Sequence, residues 1–179
     1  MILYSANIGE KDVMNQPENK HDGIEYVYFV DDKTKYSSTI WDIREIENRF
    51  DDSNMNAKWY KLHPHLLFSG EDTVWIDGNY KPVNDPSSLF INDLMLYRHS
   101  NRDCLYAEAD LCLEEGIGNA DMIKKQVAYY KEQGMPEHFG LFIGGILLRS
   151  SAVASFNEEW WKEILEFSSR DQLGLAYTL

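Results

Sequence analysis

Cysteine, proline and positive charge are all scarce in this 179-residue chain. It has two cysteines, Cys104 and Cys112. On a helix they would lie roughly 12 Å apart along the axis, too far for a disulfide. They read as small buried hydrophobes, and reduced thiols fit a cytoplasmic protein. Lysine and arginine number 17 against 30 acidic residues, a net charge of −13. That speaks against a nucleic-acid surface, which needs clustered cations. It does not exclude a small anionic ligand held by a metal ion and a few local cations. No apolar run approaches the ~20 residues that span a bilayer, so no transmembrane segment is expected. The opening "MILYSANIGEKD" has no basic n-region, so no signal peptide is expected either. Zinc signatures, a P-loop, a dinucleotide fingerprint and a serine nucleophile elbow are all missing. There is no internal repeat and no low-complexity stretch.

What is present is a globular composition, 44% hydrophobic and 13% aromatic, long enough for a core. The chain reads as one domain over 1–179. Residues 1–6 and 24–30 are rich in Ile, Tyr, Val and Phe and read as strands. Residues 54–68 read as a helix that Pro64 kinks or ends. Strands follow at 72–77 and 94–99, and a helix start at 85–90. Two helices are expected over 103–115 and 119–133, a strand over 139–151, a helix over 155–169 and another from 170 on. Stretches 15–23 and 31–53 are polar and turn-rich and read as loops. Strands alternating with helices imply an α/β sheet with covered faces. Ligands of such sheets gather at the carboxyl ends of strands, where Asp31, Asp32 and Asp77 fall.

One stretch stands out. In "DTVWIDGNY" an apolar run stops at Asp77-Gly78-Asn79. A carboxylate and an amide oxygen spaced across a glycine can converge on a hard cation such as Mg²⁺ or Mn²⁺; the plain alternative is a turn. Arg98-His99 ends another strand, where an arginine could hold phosphate or the pair could be ordinary polar groups bridged to Asp103. Gly144-Gly145 interrupts the strand "FIGGILLRSS", which suits either close approach of a ligand or a bulge. In "SRDQ", Ser169 could cap a helix beginning at Arg170. Asp171 would then be either a general base or an ordinary first-turn charge. By itself Lys58 reads as a solvated helix lysine, and Lys61 as surface. Of the adjacent Trp160 and Trp161, at least one reads as core.

Taken in order, "AKWYKLHPHLLFSGEDTVWIDGNY", Arg98-His99, Glu108-Ala109, Gln126-Val127 with Tyr130, and Ser169-Arg170-Asp171-Gln172 resemble a known pattern. It is that of GT-A-fold glycosyltransferases, and more closely the plant and bacterial glycosyltransferase-like family once labelled a domain of unknown function. Small viral GT-A domains are similar too. The resemblance covers 57–175 well and 1–56 only through "NIGEKD" and "YVYFVDD".

The resemblance implies a GT-A-like three-layer α/β/α fold with a mostly parallel mixed sheet. It further implies a transferase that moves a sugar from a nucleotide-diphosphate sugar, by default a UDP-sugar, to a hydroxyl of a glycan or glycoprotein. Asp77 and Asn79 would face Mn²⁺ or Mg²⁺. Asn7, Asp31, Lys58, Arg98, His99, Gly144 and Gly145 would meet the donor, and Arg170, Asp171 and Gln172 would serve catalysis. Asn79 stands where the family's Asp-x-Asp motif has its second aspartate. That departure keeps open a catalytically silent nucleotide-sugar or glycan-binding module. A metal-dependent phosphoesterase is a further alternative, though a two-metal site would want more carboxylates. Sugar, acceptor, stereochemistry and oligomeric state stay open at this level.

Overall fold

A computed structural model describes residues 1–179. The strands are β1 (Ile2–Asn7), β2 (Glu25–Val30), β3 (Asp42–Glu45), β4 (Thr73–Ile76), β5 (Leu94–Arg98) and β6 (Phe142–Arg149). The helices are α1 (Ser53–Leu62), α2 (Pro64–Leu67), α3 (Leu105–Glu114), α4 (Ala120–Glu132), α5 (Ala154–Glu166) and α6 (Asp171–Thr178). They build an α/β fold on a six-stranded mixed sheet of order β3-β2-β1-β4-β6-β5. Strands β1 to β4 pair in parallel, and β6 runs antiparallel to β4. By contact the chain divides into two units, 1–95 with 145–154, and 96–144 with 155–179.

In the first unit β1, β2 and β4 are apolar almost throughout and buried, the pattern of parallel strands covered on both faces. Tyr4 makes edge contacts with Phe29, Phe68 and Trp75, and Trp41 packs on Tyr26 and Tyr28. β3 lies in the stretch read as loop. Its residues are polar because it is an edge strand: Arg44 pairs with Asp42 at 2.7 Å and Glu25 at 2.6 Å, charges that suit an edge. The helix expected over 54–68 is two. Asp52 caps α1 by accepting from the Asn54 amide, and Pro64 opens α2, since its missing N–H costs nothing at a first helical position. At 85–90 only a 3₁₀ turn forms, Ser87–Leu89.

The second unit packs α3, α4 and α6 around Leu105, Ala109, Cys112, Ile123, Tyr130, Leu141 and Leu173. Cys104 and Cys112 are both free and buried, and burial pushes the Cys112 thiol up. Trp160 and Trp161 are both buried. No helix of the chain is long and apolar enough to cross a membrane.

Candidate functional site

Strand order reverses at β1, with β2 on one side and β4 on the other. Such a switch point opens a crevice at the strands' carboxyl ends. Asn7 ends β1, Asp31 follows β2 and Asp77 follows β4.

Asn7 is buried. Its amide accepts from Asp12 N at 3.1 Å and donates to Asp12 O at 2.6 Å and to the Tyr36 hydroxyl at 3.3 Å. Asn7 therefore shapes the 8–12 loop with the groups a ligand would otherwise take. Asp31 takes the Gly9 amide on Oδ2 at 3.0 Å, while its Oδ1 is buried with no hydrogen-bond partner. The loop they hold is strained: Glu10, not a glycine, has φ of 53°. Strain of this kind persists only where the surroundings over-determine it.

Asp77 is half-buried, and its Oδ1 accepts from Trp75 Nε1 at 2.7 Å and Lys61 Nζ at 3.5 Å. Lys61, expected on the surface, is 5% exposed. Its carbonyl is gripped by the Tyr4 hydroxyl at 2.9 Å and Arg149 Nη2 at 2.8 Å, which fixes this turn of α1 against the sheet. A strand-end carboxylate beside a buried ammonium escapes much of the screening that weakens surface pairs. Asp77 O closes a turn by accepting from Tyr80 N at 3.0 Å. Asn79, at the turn's tip, is exposed.

Gly145 explains how this carboxylate reaches its position. The Gly145 carbonyl accepts the Asp77 amide at 2.8 Å. A Cβ there would stand 3.0 Å from Asp77 Oδ2 and 2.9 Å from the Tyr80 ring. The room left by the glycine is taken by the protein's own Asp77 and Tyr80. Gly144, its buried neighbour, belongs to the same strand, and Lys58 is half-buried on α1. Sequence reasoning missed Lys61, Trp75 and Tyr80. Only Trp75 left a signal, being two residues before Asp77 and so on its face of the strand.

In the second unit Arg98 ends β5, exposed, with its guanidinium 5.7 Å from the Phe142 ring. Asp103, considered as a partner for the Arg98-His99 pair, instead accepts from His138 at 2.8 Å. That bond raises the His138 pKa and lowers that of Asp103. Glu108 is buried and receives Arg102 Nε at 2.8 Å and Arg170 Nη2 at 3.5 Å. Ser168 Oγ donates to Gln126 Oε1 at 2.6 Å, Gln126 donates to the Tyr130 hydroxyl at 2.8 Å, and Tyr130 donates to Glu163. The motif residues Glu108, Gln126, Tyr130 and Arg170 thus form a polar framework around the start of α6.

That start differs from expectation. α6 begins at Asp171, its cap residue is Arg170, and no side chain caps it. Ser169 fails as a cap because the helix starts one residue later than the "SRDQ" reading assumed. Asp171 is 8% exposed and its carbonyl accepts from Trp160 Nε1 at 2.8 Å; Gln172 is half-buried beside it.

Residues 1–179 match the family described as "TOD1/MUCI70, glycosyltransferase-like domain". No curated protein matches the chain.

Proposed function

The chain belongs to the TOD1/MUCI70 glycosyltransferase-like family, and on that footing we propose that it transfers a sugar from a nucleotide-diphosphate sugar, a UDP-sugar by default, to a hydroxyl of a glycan or glycoprotein, on a GT-A-like fold. The observation that carries this reading is Asp77: a carboxylate at the end of a buried strand, at the sheet's switch point, with Lys61 beside it.

Departure of a nucleoside diphosphate builds negative charge on its β-phosphate, and a preorganised positive environment stabilises that charge. Lys61 supplies one buried cation. Asp77 Oδ2 and the Asn79 amide are hard oxygen donors, and no group of three or more His, Cys, Asp or Glu side chains is placed to hold a metal. A sparse oxygen set suits Mg²⁺ or Mn²⁺, which take one or two protein ligands and complete their shell with water and phosphate. When bound, such an ion would supply charge neutralisation for the diphosphate. We assign Asp31, Lys58, Arg98 and His99 to the donor; Asn7, whose amide is engaged by Asp12 and Tyr36, shapes the loop beside it, and Gly145 in the Gly144-Gly145 pair makes room for Asp77 itself. Asp171, between Arg170 and Gln172 at the start of α6, is assigned to the acceptor hydroxyl as general base or charge stabiliser.

A second reading, a silent nucleotide-sugar-binding module, is favoured by one observation. Trp75 and Lys61 already satisfy Asp77 Oδ1, so the carboxylate is partly neutralised without an ion. Calorimetric titration of UDP with and without Mn²⁺, together with nucleotide-sugar turnover, separates the two. The transferase reading expects metal-dependent UDP binding that Asp77→Ala abolishes, and turnover of at least one nucleotide sugar. Binding without turnover of any donor establishes the silent module. Unchanged UDP affinity in Asp77→Ala removes the metal assignment.

A further inference from the structure

In the second unit, α4 and α5 leave a groove between them of about 620 Å³, within the roughly 300–1,000 Å³ of small-molecule sites. Its residues follow the helical repeat. Lys125 and Tyr129 lie one turn apart on α4, and Glu159, Lys162, Glu163 and Glu166 share one face of α5. None of them belongs to the residues assigned to sugar transfer. The apolar part of the groove is Tyr129, Leu165 and Phe167. The Tyr129 ring packs 5.1 Å from that of Phe167 and 6.1 Å from that of Tyr177, yet Tyr129 stays 38% exposed, and Leu165 is 55% exposed.

The polar part is matched in charge. Lys125 donates to Glu166 at 2.7 Å and Lys162 to Glu159 at 2.6 Å, and all four side chains are exposed. Glu163 accepts the Tyr130 hydroxyl. Burial raises the Glu163 pKa, the bond from Tyr130 lowers it, and Glu166 and Glu159 add to the rise. Three carboxylates against two ammonium groups give the groove no cationic excess for an anion. Each exposed pair offers donors and acceptors together, and such pairs contribute little by themselves, so they open to a ligand's hydroxyls at small cost. An exposed aromatic ring beside matched donors and acceptors selects a ligand divided in the same way: uncharged, rich in hydroxyls and apolar on one face. A pyranose ring is so divided, with C–H groups on its faces and hydroxyls around its edge.

We infer that the groove between α4 and α5 is a carbohydrate-binding site, apart from the residues assigned to transfer, in which a sugar ring stacks on Tyr129 and its hydroxyls meet the Lys125–Glu166 and Lys162–Glu159 pairs. Aromatic rings contribute large apolar area with a fixed geometry, and hydrogen bonds to charged groups are the stronger ones. The choice of a sugar over other hydroxylated rings rests on the transferase reading; the groove and its polarity do not.

The test is an NMR titration of the wild-type chain without nucleotide or metal, following the Tyr129 and Phe167 rings and the Leu165 methyl groups. Methyl β-D-glucopyranoside and methyl β-D-galactopyranoside are the probes. Open-chain sorbitol is the control, since it carries hydroxyls but no ring face. The expected result is a saturable shift of these signals with at least one glycoside and none with sorbitol. Tyr129→Ala should weaken the binding by roughly threefold or more, the scale of one aromatic contact, with UDP affinity unchanged. Leu165→Glu, at an exposed helix position, should weaken it too by setting a charge against the ring face, and it decides alone if Tyr129→Ala fails to fold. No saturable shift with either glycoside, an equal response to sorbitol, or undiminished binding by the folded variants overturns the site. Glycoside binding by a chain that neither binds UDP nor turns over a nucleotide sugar keeps the groove and removes the transferase reading; turnover without glycoside binding at these residues does the reverse.

Discussion

Asp77 shows how much of a side chain's behaviour is set by neighbours of no chemical distinction. Gly145 lets the carboxylate lie against β6, and Trp75 and Lys61 hold one of its oxygens. Gly145→Ala should therefore fold but push aside Asp77 Oδ2 and the Tyr80 ring, which a Cβ would meet at 3.0 and 2.9 Å. Overpacking of this kind typically costs about 1–3 kcal/mol. UDP affinity in the variant should fall together with thermal stability. A variant that loses stability but binds UDP as the wild type does would show that Asp77 does not serve the donor. Asp171 should part binding from chemistry in the opposite sense. Asp171→Asn keeps the side chain's size and removes its basicity, so turnover should fall on the order of 10²-fold or more while UDP affinity holds. Wild-type turnover in that variant would return Asp171 to the role of a first-turn helix charge.

At the scale of elements, the start of α6 is fixed from three sides: by Ser168 on Gln126, by Arg170 on Glu108, and by Trp160 on the Asp171 carbonyl. The Gln126 side chain is buried and joins Ser168 to Tyr130. Gln126→Leu fills similar space but leaves the buried Ser168 hydroxyl without its acceptor, while Tyr130 keeps its bond to Glu163, at about 1–3 kcal/mol for the unsatisfied group. Chemical denaturation should show a loss in that range. If the turn positions Asp171, turnover should fall with UDP binding unaltered. A stability loss with wild-type turnover would make the framework purely structural. The element missed by inspection, β3, was hidden by its place at the sheet's edge. Its four residues alternate weakly and carry three charges, so nothing but pairing with β2 marks them as strand.

For the whole molecule, a net charge of −13 means that any anionic substrate must be met by local cations. Lys61 beside Asp77 in the first unit, and Arg102 and Arg170 on Glu108 in the second, are such cations. The same surplus of carboxylates makes stability pH-dependent, and one contribution has a clear sign. Burial raises the Glu163 pKa above the ordinary 4.5, while the bond from Tyr130 pulls it partway down. A folded-state pKa above the unfolded one means the native state binds the proton more tightly. This contribution is fully present below 4.5 and is lost as pH rises through the raised value. Glu163→Gln keeps the acceptor for Tyr130 and removes the titration. The difference in thermal midpoint between wild type and variant should move in the variant's favour as pH rises from 4.5 towards neutrality. Parallel curves over that range would show that Glu163 does not titrate in it.

The sequence alone determined the strands and helices whose pattern has a single reading. The largely apolar runs of β1, β2 and β4 read as covered strands, the amphipathic helices need one buried face each, and Pro64 kinks or ends the helix it interrupts. It also determined that Asp77 ends a buried strand, because a carboxylate after Val-Trp-Ile leaves the core. The ordered motifs placed the chain in its family. Tertiary structure decided what each polar group touches. Lys58 and Lys61 are three residues apart on one helix, and no local rule says that Lys61 is the buried one. That follows from where α1 lies on β1 and β4. Glu108, Gln126 and Arg170 are separated by tens of residues, and only the packing of α3, α4 and α6 makes one framework of them. His99 and Arg102 are near neighbours in the chain, yet their side-chain contact at 3.1 Å goes with Glu108 holding the arginine. Hydrophobic periodicity is a local property and survives in the sequence; charge pairing and hydrogen-bond geometry are set by distance in space, which the sequence does not carry.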